Sequence, residues 1–147
     1  MYLIVPSSNT TTIPDELAHV ATWAASNNLR LNQAKSGELI IKKPRSTVPD
    51  PQILKDLPRV SELKVLGVTL QSNLHMTTHV NNIVTKAGQA MYALKQVKYH
   101  GLSDKILDTV TRSTLINPMT YASPAWIGFA NSEDLSRLQA SINTAYR

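Results

Sequence analysis

The sequence predicts an α+β protein, with short strands and one helix in its first half and only helices in its second. Three observations carry that prediction. Val80, Ile83, Val84, Ala87, Ala90, Met91 and Leu94 recur at helical spacing and define one long apolar face. The stretch from Glu62 to Gln71 instead alternates around Gly67, as a strand or tight hairpin does. Between the halves, four of the eight prolines fall within residues 44–58, which reads as a linker with at most a short helical turn around Ile53 to Leu57.

Element by element, Tyr2 to Val5 is a short β-prone run closed by Pro6 and a Ser/Asn/Thr stretch. Pro14 suits the first turn of a helix, with Asp15 and Glu16 at its positive end. Ile13, Leu17, Val20, Ala21 and Ala24 share one arc of that helix, up to a stop at Asn27 and Asn28. Leu29 and Leu31 alternate with polar residues, and Glu38 to Lys43 reads as a second strand after a Lys35-Ser36-Gly37 turn. In the second half, Thr77 or Thr78 is expected to cap the long helix. A further helix is expected from Asp104 to Ile116, stopped by Asn117-Pro118, and a last one capped by Ser132 with Leu135, Leu138, Ile142 and Ala145 inward.

Composition bounds the function only loosely. A net charge of +5 over 147 residues favours an anionic partner, nucleic acid first, as the pI near 9.6 does. The absence of cysteine excludes disulfides and thiolate metal sites. No apolar run approaches the roughly 20 residues that span a bilayer, and the opening residues lack a signal-peptide pattern, so the expectation is an intracellular chain, cytoplasmic or nuclear, with no membrane partner. The four histidines, at 19, 75, 79 and 100, show no ligand spacing, and no metal is assigned to them.

Four motifs carry more. Asn27, Asn28, Leu29, Leu31, Asn32 and Lys35 form an Asn-Asn-Leu-x-Leu-Asn-x-x-Lys pattern, and Val65, Leu66, Gly67 and Val68 a hydrophobic-Leu-Gly-Val core. His79, Ile83, Val84, Lys86 and Ala87 open the long helix, and Tyr121, Ser123, Pro124 and Trp126 form Tyr-x-Ser-Pro-x-Trp. In this order and spacing they resemble motifs D and E, the following helix and the thumb segment of reverse transcriptases of non-LTR, LINE-type retrotransposons.

That resemblance implies a partial polymerase palm over residues 1–72, with short antiparallel strands and one helix, and an all-helical thumb bundle over 73–147. It implies that Lys35 supplies positive charge or a proton near the leaving pyrophosphate in an intact parent, that Leu66, Gly67 and Val68 form a primer grip, and that Lys86, Lys95 and Lys98 neutralise phosphates without reading sequence. Read from the residues alone, each has a plainer alternative. Lys35 is equally a solvated lysine at a turn, Gly67 a bulge or bend, and the lysines a solvated helix face; Lys86 and Lys95 lie about half a wheel apart. Lys42, Lys43 and Arg45 form a second basic cluster with the same ambiguity, and Tyr121 and Trp126 read as core packing before base stacking.

The metal-binding aspartates of the family are expected upstream of Met1, together with the fingers. The chain is therefore expected to hold no cofactor, Mg²⁺ belonging to the intact parent, and to be catalytically incomplete, with weak binding of primer–template as its residual property. Two further readings stay open: a non-catalytic nucleic-acid-binding module, and a helical module whose apolar faces meet a protein.

Overall fold

The computed structural model describes residues 1–42, 45–54 and 57–146. Lys43 of the second basic cluster and Lys55 of the proline-rich stretch lie outside them. The described residues fall into two compact units, one from Met1–Ile40 and Arg45–Val60, the other chiefly from Ser61 onward. Short strands and several helices make the chain α+β.

In the first unit, α1 spans Ile13–Ser26, with Pro14 in its first turn and Asp15 and Glu16 beside it, as the sequence predicts. Ala24 is buried and Ile13, Leu17 and Val20 are half-buried, whereas Ala21 points to solvent. The helix stops because Asn28 turns left-handed at φ 55°, which aims the Leu29 N–H back at the Ala24 carbonyl, 2.8 Å, and the Asn28 N–H at Ala25, 3.2 Å. This double closure satisfies carbonyls that a helix end leaves open, and asparagine is one of the few side chains that tolerates the conformation. Just downstream, the Asn32 side chain accepts from the Lys35 N–H at 3.2 Å and fixes a 3₁₀ turn over Gln33–Lys35. The Asn-Asn-Leu…Asn-x-x-Lys pattern is thus a helix stop followed by a capped turn.

The strands of this unit are shorter than expected. Tyr2 to Val5 forms no strand, and Ser7–Thr12 beyond it is 3₁₀-helical. Leu29 and Leu31 lie exposed outside any strand. The strand expected from Glu38 is reduced to β1, Glu38–Leu39, paired in parallel with β2, Arg59–Val60. Pro58, just before β2, accepts from the Glu38 N–H at 2.9 Å but has no N–H with which to extend the ladder. Arg59 compensates locally: its guanidinium donates to Glu38 Oε2 at 2.8 Å and to the carbonyls of Pro51 and Gln52, tying the proline-rich stretch to β1.

The second unit opens with a hairpin of β3, Glu62–Val65, and β4, Val68–Gln71, in antiparallel register from Glu62 opposite Gln71 to Val65 opposite Val68. The hairpin that the sequence reading grouped with the first half thus lies in the second compact unit. Five α-helices follow: α2, Thr77–Tyr99; α3, Asp104–Thr111; α4, Asn117–Thr120; α5, Ser123–Trp126; and α6, Ser132–Ala145. Val68, Met76, Val80, Ala87, Leu115, Met119, Trp126 and Leu138 form the core, with Ile83, Val84, Ala90, Met91 and Leu94 of the predicted stripe packed against it.

Three boundaries differ from expectation. Neither Thr77 nor Thr78 caps α2; Thr77 Oγ1 donates instead to Asp134 Oδ2 at 2.9 Å, joining the first turn of α2 to that of α6. The cap of α6 is Asn131, whose side chain accepts from the Asp134 N–H at 2.7 Å, one residue before the expected Ser132. Asn117-Pro118 does not stop its helix, because a π-helical stretch over Arg112–Ile116 carries α3 into α4. A wider turn accommodates the proline, which lacks an N–H and crowds the preceding turn of a regular α-helix.

Candidate functional site

Three of the four motifs converge on the hairpin tip. Leu66 and Gly67 both have positive φ, 47° and 91°, which makes the tip a two-residue type I′ turn between the paired Val65 and Val68. Glycine is at home there; leucine is not, and 73% of its surface is exposed. Val68 faces the core, so of the three predicted grip residues only Leu66 and Gly67 are presented to solvent.

Behind the tip runs a closed set of contacts. The Thr69 N–H donates to Nδ1 of His79 at 3.3 Å, and the His79 ring meets Trp126 edge-on with centroids 5.0 Å apart. Trp126, 1% exposed, donates through Nε1 to the Tyr121 carbonyl at 2.9 Å. That carbonyl belongs to the bend between α4 and α5, where Ala122 is left-handed at φ 52° and Pro124 starts α5. The bend returns the Tyr121 ring to the tip: a Cβ on Gly67 would stand 3.2 Å from Tyr121 Cε1. Hairpin, α2 and the Tyr-x-Ser-Pro-x-Trp bend therefore support one another.

Between tip and helices lies a cleft of about 130 Å³ lined by Gly67, Ile83, Lys86, Thr114, Pro118 and Tyr121 among others. Its electrostatics are one-sided. No Asp or Glu occurs from Leu63 to Ser103, a span that holds Lys64, Lys86, Lys95 and Lys98. Burial first, then the charges of Lys64 and Lys86, hold the His79 imidazole below its ordinary value near 6.5. Neutral His79 with an accepting Nδ1 carries its proton on Nε2, which is buried without a hydrogen-bond partner among the described residues.

The predicted lysines do not gather. Lys86 lines the cleft, whereas Lys95 and Lys98 lie roughly 13 and 18 Å further along α2 at 1.5 Å rise per residue. Lys98 is 3.8 Å from Asp104 in an exposed pair. Lys35 belongs to the other unit, exposed at the end of its capped turn. Sequence reasoning missed Lys64, although it opens the Lys-Val-Leu-Gly-Val run, and ranked Tyr121 with the core, although the residue is 56% exposed. The signal for Tyr121 was its distance of five residues from a tryptophan that needs a hydrogen-bond acceptor.

Among the described residues no three His, Cys, Asp or Glu come together as a metal ion would require. Glu38 is held by Arg59, Asp108 by Arg112, and Asp134 by Thr77. No helix among the described residues is long and apolar enough to cross a membrane.

The cleft lining thus carries Lys86 and no carboxylate. The chain is 28% identical over 141 residues to a probable RNA-directed DNA polymerase from transposon X-element of Drosophila melanogaster, an alignment covering 92% of this chain and 15% of that protein. The chain is thus similar, as its motifs indicate, to a retrotransposon RNA-directed DNA polymerase, and spans about 15% of the length of that relative. No protein-family model matches it, and no solved structure does.

Proposed function

We propose that this chain corresponds to the palm and thumb region of a non-LTR retrotransposon reverse transcriptase that follows the catalytic aspartates, residues 1–72 on the palm side and 73–147 as thumb. In that reading it holds primer–template and performs no chemistry itself. The observation that carries it is the closed set of contacts from Thr69 through His79 and Trp126 to Tyr121, because it fixes the hairpin tip beside Lys86 in an acid-free surround. A tip held rigidly against a helix can position a strand end, where a free hairpin is only marginally ordered. The Leu66–Gly67 backbone then meets the strand, Val68 anchors it from the core side, and Lys86 neutralises a phosphate. Lys95 and Lys98, on other faces of α2, add positive charge further along the helix, and Lys35 acts at the pyrophosphate only in an intact polymerase.

Metal-dependent nucleotide addition needs carboxylates that hold two Mg²⁺ ions, and among the described residues Glu38, Asp108 and Asp134 are engaged by Arg59, Arg112 and Thr77. The test is binding of the purified chain to a labelled primer–template by fluorescence anisotropy across a salt series. Affinity that falls steeply with salt, with no preference between two unrelated sequences, supports the reading. Template-directed incorporation with Mg²⁺ or Mn²⁺, abolished by a substitution in the chain, overturns it. A protein complex that survives high salt without nucleic acid would favour a helical interaction module instead.

A further inference from the structure

We propose that Tyr121 is a nucleotide-stacking residue, so that the cleft beside Gly67 binds one terminal nucleotide, its base or sugar against the tyrosine ring and its phosphate on Lys86. The inference rests on the nucleic-acid reading above and adds a residue and a subsite to it. Three observations carry it. Tyr121 is 56% exposed, although the Trp126 Nε1–H to Tyr121 carbonyl bond and the left-handed Ala122 hold its backbone rigidly. A half-exposed aromatic ring on a fixed backbone is a surface already ordered for contact, and its stacking carries little further entropy loss.

The tip is also shaped around that ring. Gly67 combines φ 91° with a Cβ position 3.2 Å from Tyr121 Cε1, so any side chain there is strained and must push the ring aside. A glycine that meets both restrictions keeps the ring and the turn in contact and the cleft open. Charge names the occupant: Lys86 lines the cleft, Lys64 stands on β3 nearby, and no carboxylate lies between Leu63 and Ser103. A phosphate-bearing group with a flat face matches an apolar ring beside a lysine. An acidic peptide would match the lysine alone.

The experiment compares the unaltered chain with Tyr121→Phe, Tyr121→Ala and Lys86→Ala. The probe is a primer–template carrying 2-aminopurine at the primer 3′ end, with affinity measured by anisotropy and stacking by the 2-aminopurine emission. Tyr121→Ala should weaken binding by about tenfold with the salt slope unchanged and should abolish the emission change on binding. Tyr121→Phe should keep both, since the ring and not the hydroxyl is used. Lys86→Ala should lower the slope of log affinity against log salt by about one. Wild-type affinity and emission change in Tyr121→Ala, verified as folded by circular dichroism, overturn this inference and leave the nucleic-acid reading standing. Absence of binding by the unaltered chain overturns both.

Discussion

Replacing Leu66 by asparagine should stabilise the second unit while weakening its hold on nucleic acid. Leu66 sits at φ 47° in a type I′ turn, followed by Gly67 at φ 91°. A side chain with a Cβ costs roughly 1–2 kcal/mol in left-handed backbone, because that carbon crowds the next carbonyl. Asparagine tolerates the region, and Asn-Gly is the favoured pair for this turn. Little is lost in exchange, since 73% of Leu66 is already exposed. The net gain should be about 1 kcal/mol, which for a unit of this size raises Tm by roughly 4–8 °C. Thermal and urea denaturation followed by circular dichroism measure it, and primer–template affinity measured in parallel should drop severalfold. A lower Tm would show that the leucine is held by packing and not tolerated at a cost. Unchanged affinity would remove the tip from the binding surface.

Four other outcomes are expected. Trp126→Ala should cost about 3–5 kcal/mol in urea denaturation, because a fully buried ring in contact with His79 is lost; a loss below 1 kcal/mol would mean that the bend is not part of the core. His79 has its folded pKa lowered by burial and by Lys64 and Lys86, so the unfolded chain binds the proton more readily. Stability should therefore be level above about pH 6.5 and decline as pH falls through that value, and the decline should flatten in His79→Gln; an equal decline in both refutes the assignment. Lys86→Glu and Lys98→Glu should weaken primer–template binding more than Lys55→Glu, whereas equal effects would leave net charge as the whole explanation. Limited proteolysis should cut first between Pro44 and Pro58 and leave a fragment from about Leu63 onward, and survival of the N-terminal piece instead would refute the expected order of stability.

What the sequence made legible follows from how local each cause is. The α2 stripe, the hairpin around Gly67 and the start of α1 depend on periodicity and on neighbours within a few residues, and all three formed. Tyr2 to Val5 had the residues of a strand but formed none, and strand pairing is a non-local event that propensity cannot supply. Pro118 reads as a stop because local sequence does not reveal that a π turn will absorb it. The candidate site was legible as four separate patterns. The convergence of three of them depends on contacts such as Trp126 with His79, spanning tens of residues, and was not legible.

The closed set of contacts behind the hairpin tip also has a temporal side. The β3–β4 turn closes across two residues and forms on the scale of microseconds. The helix contact at Thr77 and Asp134 spans 57 positions, and the meeting of Tyr121 with Gly67 a comparable distance, so both wait for most of the unit to collapse. The cleft is therefore complete only once contacts distant in sequence have closed. Withdrawal of the Tyr-x-Ser-Pro-x-Trp bend while hairpin and α2 stay intact would open it and expose the buried Trp126, an excursion that exchange of the Trp126 indole N–H would register.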